Sequence, residues 1–161
     1  MTYDSKNDTL NHIDNVYGKI ENFSINMMIR AKNHDASKLK SPEKELFDEY
    51  TPKLSESTYG SNEYKDFLVK LKPALDHHYN VNKHHPEYFG SIDRMSLVDI
   101  VEMLMDWWAA SERHADGDIT KSIEINQKRF GYSDELRKIF LNIITALRCQ
   151  YCDNPKLKQV K

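Results

Sequence analysis

Ser96-Leu97-Val98-Asp99-Ile100-Val101-Glu102-Met103-Leu104-Met105-Asp106-Trp107-Trp108 is the stretch on which the fold class turns. Its apolar positions Leu97, Ile100, Val101, Leu104, Met105 and Trp108 recur at steps of three and four, the period of a helix with one buried face. Asp99, Glu102 and Asp106 follow the same spacing, so the three acids share a face of that helix. Ser96 and Asp99 stand at capping-box spacing, which reads Asp99 as a cap residue. Glu102 has the option of a nearby base. Asp106 lies deep in the helix before two tryptophans and has no such local explanation, and a metal ion is a partner that would stabilise a buried acid. Trp107 and Trp108 read as core.

Working outward, the same period runs through Leu10, Ile13, Tyr17, Ile20, Phe23, Met27 and Met28, where Gly18 and Asn22–Ser24 leave room for one helix or two. Ser41-Pro42-Glu43 reads as a serine cap, a proline at the first helical position and an acid at the positive helix end, opening a helix to about Tyr50. Thr51-Pro52 and 55–62 read as a connection. Another helix starts near Ser61; Pro73 interrupts or kinks it, with room for the chain to continue helically through Leu75-Asp76-His77-His78. Residues 80–90 read as irregular. The long helix runs from about Ser96 to Ala115, a short one follows from Asp118 to Phe130, and a last one starts at Ser133-Asp134-Glu135. No run alternates with period two. The expectation is an all-α chain, a single compact helical domain of about six or seven helices over residues 1–152, with a polar tail at 153–161.

Composition restricts the function. In 161 residues, 23 Lys+Arg face 25 Asp+Glu, a formal net charge of −2. That balance gives no strong nucleic-acid signal and no polybasic membrane anchor. The apolar runs fall short of a bilayer span, and the start Met1-Thr-Tyr-Asp-Ser lacks the features of a signal peptide. The expected setting is cytoplasmic, with no membrane partner. Cys149 and Cys152 form a lone C-x-x-C, read as idle thiols in a reducing compartment rather than as a redox or metal pair.

The seven histidines are concentrated. His34-Asp35 is followed by Ala36-Ser37-Lys38, and four more occur in His77-His78-Tyr79-Asn80-Val81-Asn82-Lys83-His84-His85. Imidazole is the commonest metal ligand, and a cluster of four has no merit as core packing. A carboxylate beside an imidazole suits Mn, Fe, Co, Ni or Zn and can bridge two ions. Lys38 is placed to hold a phosphate oxygen. His84 is the candidate proton donor to a leaving group, with Glu102 as a further catalytic candidate. Tyr79, Asn82 and Lys83 are candidate substrate contacts. His77, His78 and His85 are candidate ligands, and which of the four histidines bind is open at this stage. His114 reads as a surface residue near a helix end.

The order His12, His34-Asp35, histidine cluster, Asp106 resembles the HD superfamily of metal-dependent phosphohydrolases. That resemblance implies His12, His34, Asp35 and Asp106 as core ligands. It also implies a second ion held by two of the cluster histidines, with Asp35 bridging. More closely, H-D-x-S-K at His34–Lys38, the histidine-rich run His77–His85 and E-M-x-x-D-W at Glu102–Trp107 resemble an uncharacterised phage and bacterial family, a domain of unknown function. The expected activity is hydrolysis of a nucleotide or other small phosphoester by a water on one or two divalent ions. The HD resemblance adds a homodimer. The alternatives are an HD-like di-iron oxygenase and a non-catalytic helical protein with a structural metal.

Overall fold

A computed structural model of the chain describes residues 3–58, 61–113 and 117–153, with side chains to residue 148. His114, the side chains of Cys149 and Cys152, and the tail beyond Asp153 lie outside the described residues. Those described form seven α-helices and no strand, so the chain is all-α. The helices are α1 (Lys6–Asn33), α2 (Glu43–Glu56), α3 (Asn62–Val81), α4 (Pro86–Phe89), α5 (Leu97–Ser111), α6 (Ile119–Phe130) and α7 (Asp134–Asp153). Short 3-10 turns occupy Ala36–Leu39 and Ile92–Arg94. None of the described helices is long and apolar enough to cross a membrane. The chain gathers into two compact units, Met1–Asn82 and Lys83–Lys161.

In the first unit α2 packs along α3, and the 3-10 turn packs on both. Helix α1 is continuous through Gly18, one helix rather than two. Two prolines, one expected in a connection and one expected to interrupt or kink its helix, lie inside helices. Pro52 falls within α2 and Pro73 within α3. A proline removes the N–H that would reach the carbonyl four residues back. Here those carbonyls belong to Asp48 and Val69, both exposed, so water can take the place of the missing donor. Helix α3 therefore reaches Val81, beyond His77 and His78. Its buried residues Leu71, Ala74 and His78 are three and four apart and lie on one face. Ser61 caps its start by accepting from the backbone N–H of Tyr64.

Helix α2 begins differently from its expected cap. Pro42, not Ser41, holds the capping position, and no side chain caps the helix there. Glu43, expected as an acid at the positive helix end, is fully buried.

The second unit has an apolar core of Ile92, Met95, Met103, Leu104, Ile119, Ile123, Tyr132, Phe140 and Ile144. The period of α5 delivers Met103 and Leu104 to it, and α6 and α7 supply the opposing isoleucines and Phe140. Trp107 stacks on Phe130, 6.0 Å between ring centroids, and meets Phe140 edge-on, so it is core as expected. The Tyr132 hydroxyl donates to the Ile123 carbonyl at 2.5 Å. Helix α5 opens with the capping box read from the sequence. Ser96 Oγ accepts from the Asp99 N–H, and Asp99 Oδ2 accepts from the Ser96 N–H at 3.0 Å. Asp118 caps α6 through Thr120. The helix expected to reach Ala115 is described as ending at Ser111.

Candidate functional site

Helix α1 stops at Asn33, and the next two residues turn the chain. Asp35 takes the left-handed conformation, φ 57°, and begins the 3-10 turn Ala36–Leu39. Few residues other than glycine rest there, and Asp is one that tolerates it. The turn directs Asp35 toward α3. Asp35 Oδ1 lies 3.2 Å from His78 Nε2 and 3.6 Å from His34 Nε2. Its other oxygen, Oδ2, accepts from Lys38 Nζ at 2.6 Å. Lys38, expected at a phosphate, thus balances the Asp35 carboxylate, and its ammonium stands 5.3 Å from the Phe47 ring centroid.

Behind His78 lies Glu43. His78 is 1% exposed and Glu43 0%. Glu43 Oε2 is 2.9 Å from His78 Nδ1 and accepts from Ser37 Oγ at 3.0 Å, while Oε1 is 2.7 Å from His77 Nδ1. Burial pushes the Glu43 carboxyl up. The hydrogen bonds from His77, Ser37 and His78, with the charge of His78, outweigh it and hold the group below the ordinary carboxylate range. In the neutral ring a carboxylate at Nδ1 favours the proton there and leaves Nε2, the nitrogen nearer Asp35, as the one a metal would take, the arrangement that orients metal-binding histidines.

Asn82 closes the same network. Its Nδ2 donates to Ser37 Oγ at 2.8 Å and to the His78 carbonyl at 2.9 Å, so the residue expected to touch substrate ties the end of α3 to the turn after α1. Tyr79 packs its ring against His78, 6.1 Å between centroids. His77 is half-exposed and spends Nδ1 on Glu43.

In the second unit, His84 is 2% exposed and its ring lies 4.1 Å from that of His85, centroid to centroid. His84 Nδ1 is 3.4 Å from Glu102 Oε1 on α5, which is also buried. Glu102 thus has the base that its sequence position anticipated. Asp106, one turn further along α5, is half-buried. His84 offers a ligand atom within 4.8 Å of one on His85 and of one on Asp106. In the first unit, Asp35 and His78 do the same. Each unit thus brings together histidine and aspartate side chains, around the buried His78 in the first and the buried His84 in the second, with the donor chemistry to hold a metal ion. His84, assigned from the sequence to proton donation, has a place in this donor set. Lys83 is exposed, its Nζ 5.9 Å from the Tyr88 ring centroid.

His12 and His77 join no group of candidate ligand atoms among the described residues. His12 is exposed on α1. Asp99 is engaged in its capping box. The residue that sequence reasoning missed is Glu43. Its partners are 34 and 35 positions away, and its only local signal, an acid at a helix start, has an ordinary explanation.

No curated protein matches the chain, and no solved structure matches it. A family model described as "Family of unknown function (DUF5662)" matches residues 1–146. Covering most of the sequence, including both histidine segments and all of α5, that match shows that the chain belongs to this family of unknown function.

Proposed function

We propose that the chain is a metal-dependent phosphohydrolase acting on a nucleotide or another small phosphoester. The observation that carries the metal reading is His78: a buried imidazole with Nδ1 backed by Glu43 and Nε2 3.2 Å from a carboxylate oxygen. An imidazole held in this orientation beside a carboxylate is a donor pair that suits a divalent ion. The first unit offers Asp35 and His78 as ligands, with His34 beside Asp35, and the second unit offers His84, His85 and Asp106. A bound divalent ion would supply a Lewis acid and a water acidic enough to serve as nucleophile near neutral pH.

The chain's own residues supply the rest. Glu43 and Glu102 fix the ring orientation of His78 and His84. Lys38 offsets negative charge at Asp35 and, on release, at a phosphoryl oxygen. Among the cluster histidines the half-exposed His77 is reachable by a leaving-group oxygen and can hold a proton for it. The support for phosphate chemistry is the Asp35–Lys38 pair together with the motif order described above.

Elemental analysis of the purified chain tests the metal. One or two transition-metal ions per chain are expected, lost in His78→Ala and Asp35→Ala while helical circular dichroism persists. Phosphate release from a nucleotide panel, with Mn, Co, Ni or Fe added, tests the chemistry. Metal without phosphate release overturns hydrolysis. Absence of metal from wild type and variants alike overturns the site.

A further inference from the structure

Glu43 Oε2 at 2.9 Å, Asn82 Nδ2 at 2.9 Å and Ser37 Oγ at 3.2 Å all reach His78 Nδ1. Glu43 and Asn82 pull the ring proton in opposite directions. An ionised carboxylate only accepts, so Glu43 favours a proton on Nδ1. An amide nitrogen only donates, so Asn82 favours a bare Nδ1 and a proton on Nε2. Asp35 Oδ1, 3.2 Å from Nε2, pulls the same way as Asn82. A neutral ring with its proton on Nε2 offers no lone pair to an ion on the Asp35 side.

Ser37 decides between them. Its Oγ accepts from Asn82 Nδ2 at 2.8 Å, and the His78 carbonyl accepts from the same nitrogen at 2.9 Å. A side-chain amide has two protons to give, so both are spent away from Nδ1. The one hydroxyl proton of Ser37 goes to Glu43 Oε2 at 3.0 Å, so it too is directed away from the ring. The donors around Nδ1 are thereby occupied, and the carboxylate is left as its acceptor. We propose that Ser37 is a positioning residue for the metal centre, a role that rests on the metal reading above: it occupies the Asn82 amide, holds the His78 proton on Nδ1 and keeps Nε2 open to an ion. Ser37 does this from the 3-10 turn that Asp35 begins, so one short segment carries a ligand and the group that prepares its neighbour.

Two readouts on the full chain test this. Imidazole nitrogen NMR reads the His78 tautomer in the metal-free protein, at a pH where the ring is neutral. Competition with a chelator reads the affinity for Co. The wild type is expected to carry the proton on Nδ1. Ser37→Ala frees the Asn82 amide to donate to Nδ1. It should move the proton to Nε2 and weaken Co binding by about 10–100-fold, the range for losing a group that orients a ligand. Ser37→Thr keeps the hydroxyl and should restore both. Ser37→Ala/Asn82→Ala also removes the competing donor, so the proton should return to Nδ1 and Co should bind more tightly than to Ser37→Ala. A residue that merely holds the turn together predicts the reverse, because the double variant loses more bonds than the single one. Asn82→Ala alone should keep the proton on Nδ1, which carries the test if Ser37→Ala does not fold. A wild-type ring protonated on Nε2, a shift to Nε2 in Asn82→Ala, or a double variant that binds Co no better than Ser37→Ala overturns the role of Ser37. Co bound by the wild type, with tautomer and affinity unmoved in Ser37→Ala, overturns that role alone. A wild type that binds no Co overturns the metal reading and the role with it.

Discussion

The two units bury different kinds of side chain. Of the first unit's buried residues, Leu71 and Ala74 are apolar, while Glu43 and His78 are a carboxylate and an imidazole bonded to each other. The second unit surrounds Phe140 with Met103, Leu104, Ile119, Ile123 and Ile144 and adds His84, Asp99, Glu102 and Asn126 at its margins. The second unit therefore rests on apolar burial, which is non-directional and accumulates with area. The first rests on a few directional bonds, and a hydrogen bond contributes little net but costs much when one partner is removed. The same contrast separates the two histidines. Glu43 is held by three donors at 2.7–3.0 Å, whereas Glu102 approaches His84 at 3.4 Å. His78 rides on a helix face, while His84 lies in the turn between α3 and α4. The His78 ring is the more firmly positioned of the two.

The largest effect should come from the apolar core. Phe140→Ala removes a fully buried ring that meets both Trp107 and Tyr132. A loss of about 3–5 kcal/mol is expected in denaturant unfolding. Hydrogen exchange should locate the loss in α5–α7, leaving α2 and α3 protected to their own level. Equal deprotection of α2 and α3 would break the distinction between the units.

That distinction was only half legible in the sequence. The helical class and the second core could be read at Leu97–Trp108, because local periodicity and caps are encoded within one turn of each residue. Asp99 was correctly read as a cap for the same reason. Pro52 was misread, and continuation past Pro73 was only one of two options, because the effect of a proline depends on whether the carbonyl four residues earlier faces water, which is a tertiary fact. The Asp35–His78 pair lay among the candidates read from the sequence. The choice between His77 and His78 needed the phase of α3: Leu71, Ala74 and His78 share its buried face, and that phase is visible only once the helix is known to continue through Pro73. Glu43 was invisible because everything that makes it unusual comes from residues more than thirty positions away.

The second unit also has its own pH response. Burial pushes the Tyr132 hydroxyl up to about 12, against an ordinary value near 10. The folded state therefore keeps a proton that the unfolded chain releases first. Stability is intact below pH 10 and declines as pH rises from about 10 to 12, by about 2–3 kcal/mol in total for this group. Tyr132→Phe should lose the hydrogen bond to the Ile123 carbonyl but flatten that part of the alkaline decline. Chemical denaturation between pH 9 and pH 12 measures it, and a variant with the wild-type slope would show that the response arises elsewhere.

Glu43→Gln probes the polar unit with the smallest change of shape. Glutamine preserves the volume but replaces one acceptor oxygen with a donor, so His77, His78 and Ser37 no longer all find acceptors at this side chain. The expected cost is about 1–3 kcal/mol, read as lost exchange protection in α2 and α3 with α5–α7 unaffected. Metal affinity should fall as well, by about 10–100-fold, because the His78 ring loses the partner that fixes its tautomer. Glu102→Gln should cost less on both measures, since its approach to His84 is longer and it lacks the additional clasp from two other donors. If Glu102→Gln weakens metal more than Glu43→Gln does, the ranking of the two imidazoles is reversed, and the turn histidine rather than the helix histidine is the more firmly held.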